Sequence, residues 1–372
     1  MNLDLHIPTR VVFGRGRLSE LGEIVQPLGR KALIMCGRTA MRRHGTLDFC
    51  IKTLNSAGVA VTVFDDVSPD PLATEVDRAV ALARAEACDV IVGLGGGSAI
   101  DAAKAASIGL TAGPVGPLVG TTIPPLSGTV PVVAVPTTAG SGAEVTKGAI
   151  ITDTDRALKS GIRGESLFPA VALIDPDLSL TVPTTVAAAT GFDALAHAVE
   201  GFVARRANPF TRALALQAAE ILGRRLPEVT AGRADAIARE DLAYAALLGG
   251  MNVAVASTCL PHRLQQAMGA VPRIPISHGR GLAAVYPAWL ETAVPHAEER
   301  FAAICAPLGP ADPGESISQF LAEIGAAGSL SSHGFTTTDI PRLLAAVTGN
   351  TDNDPVSEIT QDTVRSIYER SL

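Results

Sequence analysis

The chain of 372 residues is poor in aromatic residues, in cysteine and in long apolar runs. Aromatic residues make up 4% of it, and its five cysteines are scattered, with no C-x-x-C pair. An odd number of dispersed thiols does not form a disulfide framework, so we expect reduced cysteines in a cytoplasmic protein. Glycine, proline or a charged residue interrupts each apolar run before it could span a bilayer. The N-terminal segment has no signal-peptide pattern, and no export is expected.

Positive charge is also scarce. The chain carries 30 Lys and Arg against 37 Asp and Glu, a formal net charge of -7, and it has no basic stripe that could neutralise phosphates. This charge balance argues against a nucleic-acid partner, and no membrane partner is expected. The 47% of hydrophobic residues are mainly Ala, Val, Leu and Ile. Their number and the length of the chain predict a soluble enzyme with two domains, each with its own core.

The first half alternates short β-branched runs with alanine-rich helical segments. This alternation is typical of βαβ units and predicts a parallel sheet. The predicted strands are "KALIMCG", "VAVTVFDDV", "CDVIVGLGGGS", "VPVVAVPTTAGSG", "GAIITD" and "AVALIDP". From about Val182 onward, helical periodicity replaces strand alternation. We therefore predict an α/β fold with a Rossmann-like parallel-sheet domain over residues 1–183 and an all-helical domain over residues 184–372.

A glycine-rich turn joins a predicted strand to a predicted helix in "IVGLGGGSAIDAAK". Backbone N–H groups at a helix N-terminus attract phosphate, so Gly95, Gly96, Gly97 and Ser98 form a candidate pyrophosphate cradle. The G-x-G-x-x-G fingerprint is incomplete because Ser98 replaces its third glycine, and no acid follows about twenty residues later. A plain tight turn remains the alternative.

The tip of the strand "ALIMCGR" favours NADP(H) over NAD(H). An acid at such a tip would bind a ribose diol and repel a 2′-phosphate, but here Gly37 and Arg38 follow Cys36. A guanidinium at this place suits a 2′-phosphate. Arg38 as an ordinary solvated surface residue is the alternative.

One predicted helix, "TGFDALAHAVEGFV", carries a carboxylate and an imidazole on the same face. Asp193 and His197 are four residues apart and point the same way, either toward a metal ion or toward each other. Two more histidines, His262 and His278, follow in the helical half. One carboxylate with three imidazoles suits Fe²⁺ or Zn²⁺. If the geometry stays open, four protein ligands leave a fifth position on the metal for a substrate oxygen.

These motifs together resemble the iron-containing, group III alcohol dehydrogenases of the dehydroquinate synthase-like superfamily. The resemblance runs over nearly the whole chain, through "VVFGRGRLSELG", "GLGGGSAIDAAKA", "AVPTTAGSGAEVT", "ALIDPDLSLTVP", "ATGFDALAHAVEGFV" and the "SHG" that contains His278. It implies that Asp193, His197, His262 and His278 are the metal ligands. It also implies a homodimer. The cofactor residues that it implies, beyond the glycine turn, are Asp101, Thr137, Thr138, Ser141, Lys159 and Leu178, with Lys159 close to the reaction.

The chain departs from the family pattern at two places. The usual H-x-x-x-H-x-x-G stretch reads "HRLQQAMG" here, so Gln266 replaces a histidine that is expected beside the nicotinamide as a proton relay. Glutamine can orient a substrate but does not titrate near neutral pH, so we expect the proton to travel through ribose hydroxyls and water. The segment from Gly269 to His278 is also about two residues longer than the common form.

The sequence thus predicts a metal-dependent oxidoreductase that transfers a hydride between NAD(P)(H) and a small alcohol, aldehyde or ketone. The metal would act as a Lewis acid, with Gln266 and Lys159 as the catalytic candidates. The alternatives are a dehydroquinate synthase-like enzyme or a transhydrogenase on the same scaffold, or a nucleotide- or metal-binding protein without catalysis. Arg263, Arg273 and Arg280 favour an anionic substrate if they line the pocket, and are surface charges otherwise.

Overall fold

A computed structural model describes residues 5–233, 235–310 and 312–372. The described chain forms two compact units, one of Ile7–Thr138 with Ala143–Val182 and one that contains Ala139–Gly142 and Pro183–Leu372. The four residues Ala139–Gly142 belong to the second unit although they precede residue 183. Here they pack with the helical unit, because Gly142 lies so close to Gly250 that an added Cβ would sit 2.3 Å from its Cα.

The first unit is built on a six-stranded sheet in the order β1-β8-β5-β4-β2-β3, in which every pair of neighbours is parallel. This confirms the predicted parallel-sheet fold. A separate antiparallel pair, β6 with β7, completes the strands of the described residues. The strands are β1 (Arg10–Phe13), β2 (Lys31–Gly37), β3 (Ala60–Val67), β4 (Val90–Gly95), β5 (Val132–Pro136), β6 (Gly148–Asp153), β7 (Leu158–Arg163) and β8 (Val171–Ile174).

Apolar residues cover both faces of this sheet. Along β2, Leu33 and Met35 belong to one buried cluster, while Ile34 and Cys36 belong to another. Successive strand residues point to opposite faces, so a sheet that is buried on both sides needs continuous apolar strands. The helices of this unit are α1 (Leu21–Val25), α2 (Ala40–Arg43), α3 (Thr46–Ser56), α4 (Ala73–Ala85) and α5 (Gly97–Ala112).

The second unit is helical, as predicted, and the described residues from Pro183 onward include no strand. Its core contains a row of edge-to-face aromatic contacts, with ring centroids 5.0–5.5 Å apart, that runs from Phe192 through Tyr286 and Trp289 to Phe301. Its helices are α6 (Thr184–Val203), α7 (Pro209–Thr230), α8 (Ala236–Ala256), α9 (Leu260–Ala267), α10 (His278–Ala293), α11 (Glu298–Cys305), α12 (Pro313–Glu323), α13 (Ile340–Ala346) and α14 (Gln361–Arg370).

Within the described residues, no single helix has both the length and the apolarity that crossing a membrane requires. One pair, Ala236–Ala256 with Leu260–Ala270, meets that test by length and composition only when its two helices are taken together, and it is bent by 97°.

Candidate active site

Helix α6 carries three polar side chains on one buried face. Asp193, His197 and Glu200 are spaced four and three residues apart, which brings them to the same side of the helix. All three are at most 5% exposed, in a helix that is otherwise rich in alanine and glycine. Burying two carboxylates and an imidazole side by side costs free energy unless they have partners. The residues that face them therefore determine the role of this side of α6.

The four predicted ligands meet at this face. Asp193 Oδ1 lies 3.5 Å from His197 Nε2, 3.4 Å from His262 Nε2 and 3.2 Å from His278 Nε2. The ligand atoms of Asp193, His262 and His278 lie within 4.8 Å of one another. His197 completes the set beside them, with its ring stacked on that of His262 at a centroid distance of 4.7 Å.

Two hydrogen bonds turn the imidazoles toward Asp193. His262 Nδ1 contacts both carboxylate oxygens of Glu200, at 2.8 and 2.9 Å, and His278 Nδ1 contacts Gln265 Oε1 at 2.5 Å. Because an acceptor holds the Nδ1–H of each ring, the other ring nitrogen, Nε2, is directed at Asp193. Sequence reasoning missed both Glu200 and Gln265. The spacing of Glu200 after His197 was a usable signal for the first of them.

Buried carboxylates also fix the start of α9, which carries His262. Glu200 accepts the N–H of Cys259 at 2.7 Å, and Asp354 accepts the N–H of Leu260 at 2.9 Å. Asp354 is held in turn by Trp289 Nε1 at 3.0 Å. Negative groups at the first N–H groups of a helix satisfy donors that have no partner inside the helix. The position of His262 is therefore set by contacts at both its ring and its backbone.

Helix α10 reaches α6 at a glycine. His278 is the first residue of α10, and a Cβ on the next residue, Gly279, would lie 1.9 Å from the carbonyl oxygen of Ala189. Ala189 lies one helical turn before Asp193. Only a residue without a side chain allows this approach, and the approach brings His278 beside Asp193.

The charges of the site differ from one ligand to the next. Burial alone would raise the pKa of Asp193, but the facing rings of His197 and His278 outweigh it and hold that pKa well below its usual range. Burial lowers the pKa of His197 to about 4, against the opposing effect of Asp193. Burial also opposes charge on His262, but Glu200 and Asp193 prevail and raise its pKa to about 9. The face therefore offers an ionised carboxylate and a neutral imidazole at neutral pH.

A divalent cation fits this donor set. Asp193 Oδ1 and His262 Nε2 are buried, and each lacks a hydrogen-bond partner among the described residues. Unpartnered polar atoms are rare in protein interiors, and those of Asp193 and His262 face each other across a gap of 3.4 Å. A carboxylate oxygen and imidazole nitrogens are ligands that both Fe²⁺ and Zn²⁺ accept.

Gln266 lies one turn after His262 on α9 and is 4% exposed. Its Oε1 accepts a hydrogen bond from Arg263 NH1 at 3.1 Å, and Arg263 NH2 also donates to Thr258 Oγ1. Of the three arginines that the sequence singled out, Arg263 is the one that forms a hydrogen bond with a predicted site residue among the described residues. Arg273 pairs with Asp339, and Arg280 NH1 donates to the carbonyl oxygen of Gly325 at 2.7 Å.

These observations of the helical unit agree with comparisons of the whole chain. The family model described as "Iron-containing alcohol dehydrogenase" matches residues 8–176, and the one described as "Fe-containing alcohol dehydrogenase family, C-terminal" matches residues 187–372. The chain belongs to the iron-containing alcohol dehydrogenase family. The predicted resemblance is thus confirmed.

Relatives and solved structures in the iron-containing alcohol dehydrogenase family cover most of the chain. The 1,3-propanediol dehydrogenase of Citrobacter freundii is 34% identical over 372 residues, 95% of this chain and 94% of the relative. The NAD-dependent methanol dehydrogenase of Bacillus methanolicus is 37% identical over 73% of this chain and 71% of the relative. The NADPH-dependent butanol dehydrogenase of Clostridium saccharobutylicum is 36% identical over 73% and 69%.

A crystal structure of 1,3-propanediol oxidoreductase superposes with a TM-score of 0.93 at 32% identity and covers all of both chains. An archaeal alcohol dehydrogenase from a Red Sea brine pool superposes with a TM-score of 0.94 at 28% identity, over 100% of this chain and 99% of that one. As a family member, the chain is an oxidoreductase of the NAD(P)-dependent alcohol dehydrogenase type, which confirms the predicted enzyme class.

The glycine turn of this iron-containing alcohol dehydrogenase is shorter than the sequence suggested. Strand β4 ends at Gly95 and helix α5 begins at Gly97, so Gly96 alone joins them, and Ser98 already lies in the helix. Gly95 has a φ of +149°, and a Cβ there would lie 2.9 Å from that of Ala99. The N–H groups at the start of a 16-residue helix are thereby exposed to a ligand without an intervening side chain.

The tip of β2 lies closer to acids than the sequence indicated. Arg38 pairs with Asp66 at 2.5 Å, and its NH2 lies 3.4 Å from Glu75. Asp66 belongs to the neighbouring strand β3, where the pairing with β2 shifts register between Met35 and Gly37. The tip of β2 itself has no acid, as predicted, but Arg38 is not isolated from carboxylates. The side chain of Arg38 remains 57% exposed.

Lys159 lies on β7 and is 4% exposed. Its Nζ pairs with Asp70 Oδ1 at 2.7 Å, and the N–H of Asp70 donates to Ser98 Oγ at 3.3 Å. Asp70 has a φ of 57°, in the left-handed region, which aspartate adopts more readily than most residues other than glycine. Lys159 is thus linked to the glycine turn through Asp70, a residue that sequence reasoning missed.

The remaining predicted cofactor residues fall into both units. Thr138 packs at the glycine turn, since its Oγ1 would lie 3.1 Å from a Cβ on Gly96, and the N–H of Thr137 donates to Gly95 at 2.9 Å. Ser141 belongs to the segment Ala139–Gly142 of the helical unit. Two others have structural contacts: Asp101 accepts the N–H of Ile150 at 2.9 Å, and Leu178 packs against a core cluster of the sheet.

Proposed function

We propose that this enzyme is an iron-dependent, NADP(H)-preferring dehydrogenase that interconverts small alcohols and their aldehydes or ketones. The observation that carries the proposal is the meeting of Asp193 with three imidazole rings, each within 3.5 Å of one carboxylate oxygen. Family membership supports iron as the metal and a nicotinamide as the hydride carrier. We also keep the division into domains at residues 183 and 184 as a proposal.

The four proposed ligands contribute one negative charge and three imidazole nitrogens, and neighbouring side chains orient two of the rings. Asp193 supplies the negative charge, and His197 is neutral near pH 7, so its lone pair needs no proton release before it binds a cation. Glu200 and Gln265 hold His262 and His278 in the binding orientation. Iron at this site supplies a Lewis acid that polarises the oxygen of a carbonyl or alcohol.

The first unit supplies what a dinucleotide needs. The uncovered N-terminus of α5 suits a pyrophosphate, and Lys159 brings a positive charge that Asp70 holds beside the turn. At the tip of β2, Gly37 presents no carboxylate to a 2′-phosphate, and the exposed guanidinium of Arg38 favours one. This is the basis for preferring NADP(H).

The direct test combines metal analysis with a turnover screen. The protein is purified without chelator or a metal-affinity tag, its iron and zinc are measured, and NADPH oxidation is followed over a panel of small aldehydes. We expect about one iron per chain and steady-state turnover with a single aldehyde. Zinc in place of iron would contradict the metal assignment. Turnover that requires a second carbonyl substrate would indicate a transhydrogenase, and no hydride transfer over the whole panel would contradict the proposed function.

The panel is repeated with the Asp193→Asn variant, which keeps the size of the side chain and removes its charge. Iron content and turnover should fall together in this variant. The matched control is Glu220→Gln, which neutralises an exposed carboxylate of the same unit, on α7. Iron retention equal to that of the control would show that Asp193 is not a ligand.

A further inference from the structure

Gln266 occupies the position at which a histidine was expected, and it forms a buried hydrogen bond with Arg263. The side chains of Gln266 and Arg263 are both buried, at 4% and 5% exposure. Arg263 donates through one nitrogen to Gln266 Oε1 and through another to Thr258 Oγ1, so the guanidinium is anchored on two sides. A planar fork held at two points has little freedom to turn.

Arg263 fixes which end of the Gln266 amide is presented. A guanidinium has donors and no acceptor, so only the carbonyl end of the amide can face it. The NH2 end must then point away from Arg263. Within residues 5–233, 235–310 and 312–372, nothing forms a hydrogen bond with Gln266 Nε2. A substrate that shields this N–H from water without accepting its hydrogen bond costs free energy, so a substrate with an acceptor at this place is favoured.

The position of this NH2 group relates it to the proposed metal ligands. Gln266 follows His262 by four residues on α9, which places both side chains on one face of the helix. Helical side chains lean toward the N-terminus, so the amide lies over the turn that contains His262. Glu200 and Asp354 fix that end of the helix, and the amide and the His262 ring are therefore held in a constant relation.

We propose that Arg263 is a positioning residue that sets Gln266 as a fixed hydrogen-bond donor for a second oxygen of the substrate. The substrate class is a small alcohol or aldehyde with a further hydroxyl, carbonyl or carboxylate oxygen a few bonds from the reacting carbon. The inference rests on the proposed function and extends it to specificity. A purely aliphatic substrate of the same size leaves the donor unpaired and is disfavoured.

The test uses pairs of substrates in which a methyl group replaces the second hydroxyl: propane-1,3-diol with butan-1-ol, and ethane-1,2-diol with propan-1-ol. The ratio of kcat/KM within each pair is measured for the iron-loaded enzyme and its variants. We expect the wild type to favour the diol by roughly tenfold, the effect of one well-placed hydrogen bond. In Gln266→Met this preference should disappear, mainly through a higher KM for the diol.

Arg263 is tested through the same ratio. Arg263→Met frees the amide to turn, so the preference for the diol should fall, and Arg263→Lys, which keeps one donor, should restore part of it. The double variant Gln266→Met/Arg263→Met should have the same ratio as Gln266→Met alone, because both changes remove one interaction. Arg370→Met is the control, since Arg370 on α14 pairs with the exposed Glu291.

Each outcome either supports this inference or overturns it. A wild type that oxidises butan-1-ol as well as the diol, or a Gln266→Met variant that keeps the preference, overturns this inference and leaves the proposed function intact. A wild type that oxidises neither alcohol overturns both. If Gln266→Met does not fold, Gln266→Glu replaces it. This variant keeps the shape and offers acceptors only, so it is tested with 3-methoxypropan-1-ol against pentan-1-ol, because an ether oxygen can accept but cannot donate. The wild type should favour the ether, and this preference must be lost in Gln266→Glu.

Discussion

Replacing Glu200 by glutamine should weaken iron binding without removing any proposed ligand. The carboxylate contacts His262 Nδ1 through both oxygens and also accepts the N–H of Cys259. Glutamine has nearly the same shape, but it is neutral and has one oxygen, so the contact with His262 Nδ1 loses its negative charge and one of its two acceptors. Loss of such a supporting contact costs about 10- to 100-fold in metal affinity, which corresponds to about 1.4–2.7 kcal/mol.

The affinity is measured by competition for iron against a chelator of known strength, at fixed pH and under anaerobic conditions. Glu220→Gln, which removes an exposed carboxylate from α7, should bind iron as the wild type does. Turnover of Glu200→Gln should recover in part at high iron concentration, because the four ligands are still present. An affinity within twofold of the wild type would refute the claim that Glu200 holds the ring of His262.

Three further changes test other parts of the structure. Gln266→His should preserve or raise turnover and add a pH dependence to kcat, and complete loss of activity would contradict the assignment of this position. Gly37→Asp should lower the NADPH-to-NADH ratio of kcat/KM by at least about tenfold, because the new carboxylate repels the 2′-phosphate of NADPH. Gly37→Asn, which adds no charge, should leave the ratio unchanged. Both side chains fit, since a Cβ at this position meets only the carbonyl oxygen of Val67, at 3.6 Å. Burial raises the pKa of Glu144 from 4.5 to about 7, so the folded protein keeps a proton that the unfolded chain loses, and stability should fall as pH rises between these values. Glu144→Gln should remove roughly 3 kcal/mol of this fall, measured as urea unfolding at pH 5 and pH 8, and an unchanged pH dependence would contradict the burial argument.

Much of the architecture could be predicted because apolar periodicity reports burial directly. The continuous β-branched runs of β4 and β5 and the 3.6-residue pattern of α7 and α8 were sufficient to separate the sheet from the helices. Strand β7 was missed because its centre is Lys159, Ser160 and Gly161, which are buried although two of them are polar. Composition does not reveal a strand whose buried residues are polar.

The sequence points to the residues of the proposed ligand cluster, but it does not point to the residues that contact them from behind. The pair Asp193 and His197 is a local pattern, readable from one helix. Glu200 resembles an ordinary helical acid until the turn at Cys259, 59 residues later, is brought against it. Likewise, the pairing of Arg38 with Asp66 depends on the register between two strands. Sequence reasoning fails where a role is created by tertiary contact.

The contact at Gly279 has a consequence for how this enzyme could be redesigned. Since the backbones of α6 and α10 touch there, the distance between those helices is not adjustable by choosing a larger or smaller side chain. A designer who wants a new substrate range should leave residue 279 untouched and vary α9 and the long segment 269–277 instead. In a library that varies residue 279, most members would carry a side chain that collides with the carbonyl oxygen of Ala189 and would not bring His278 beside Asp193.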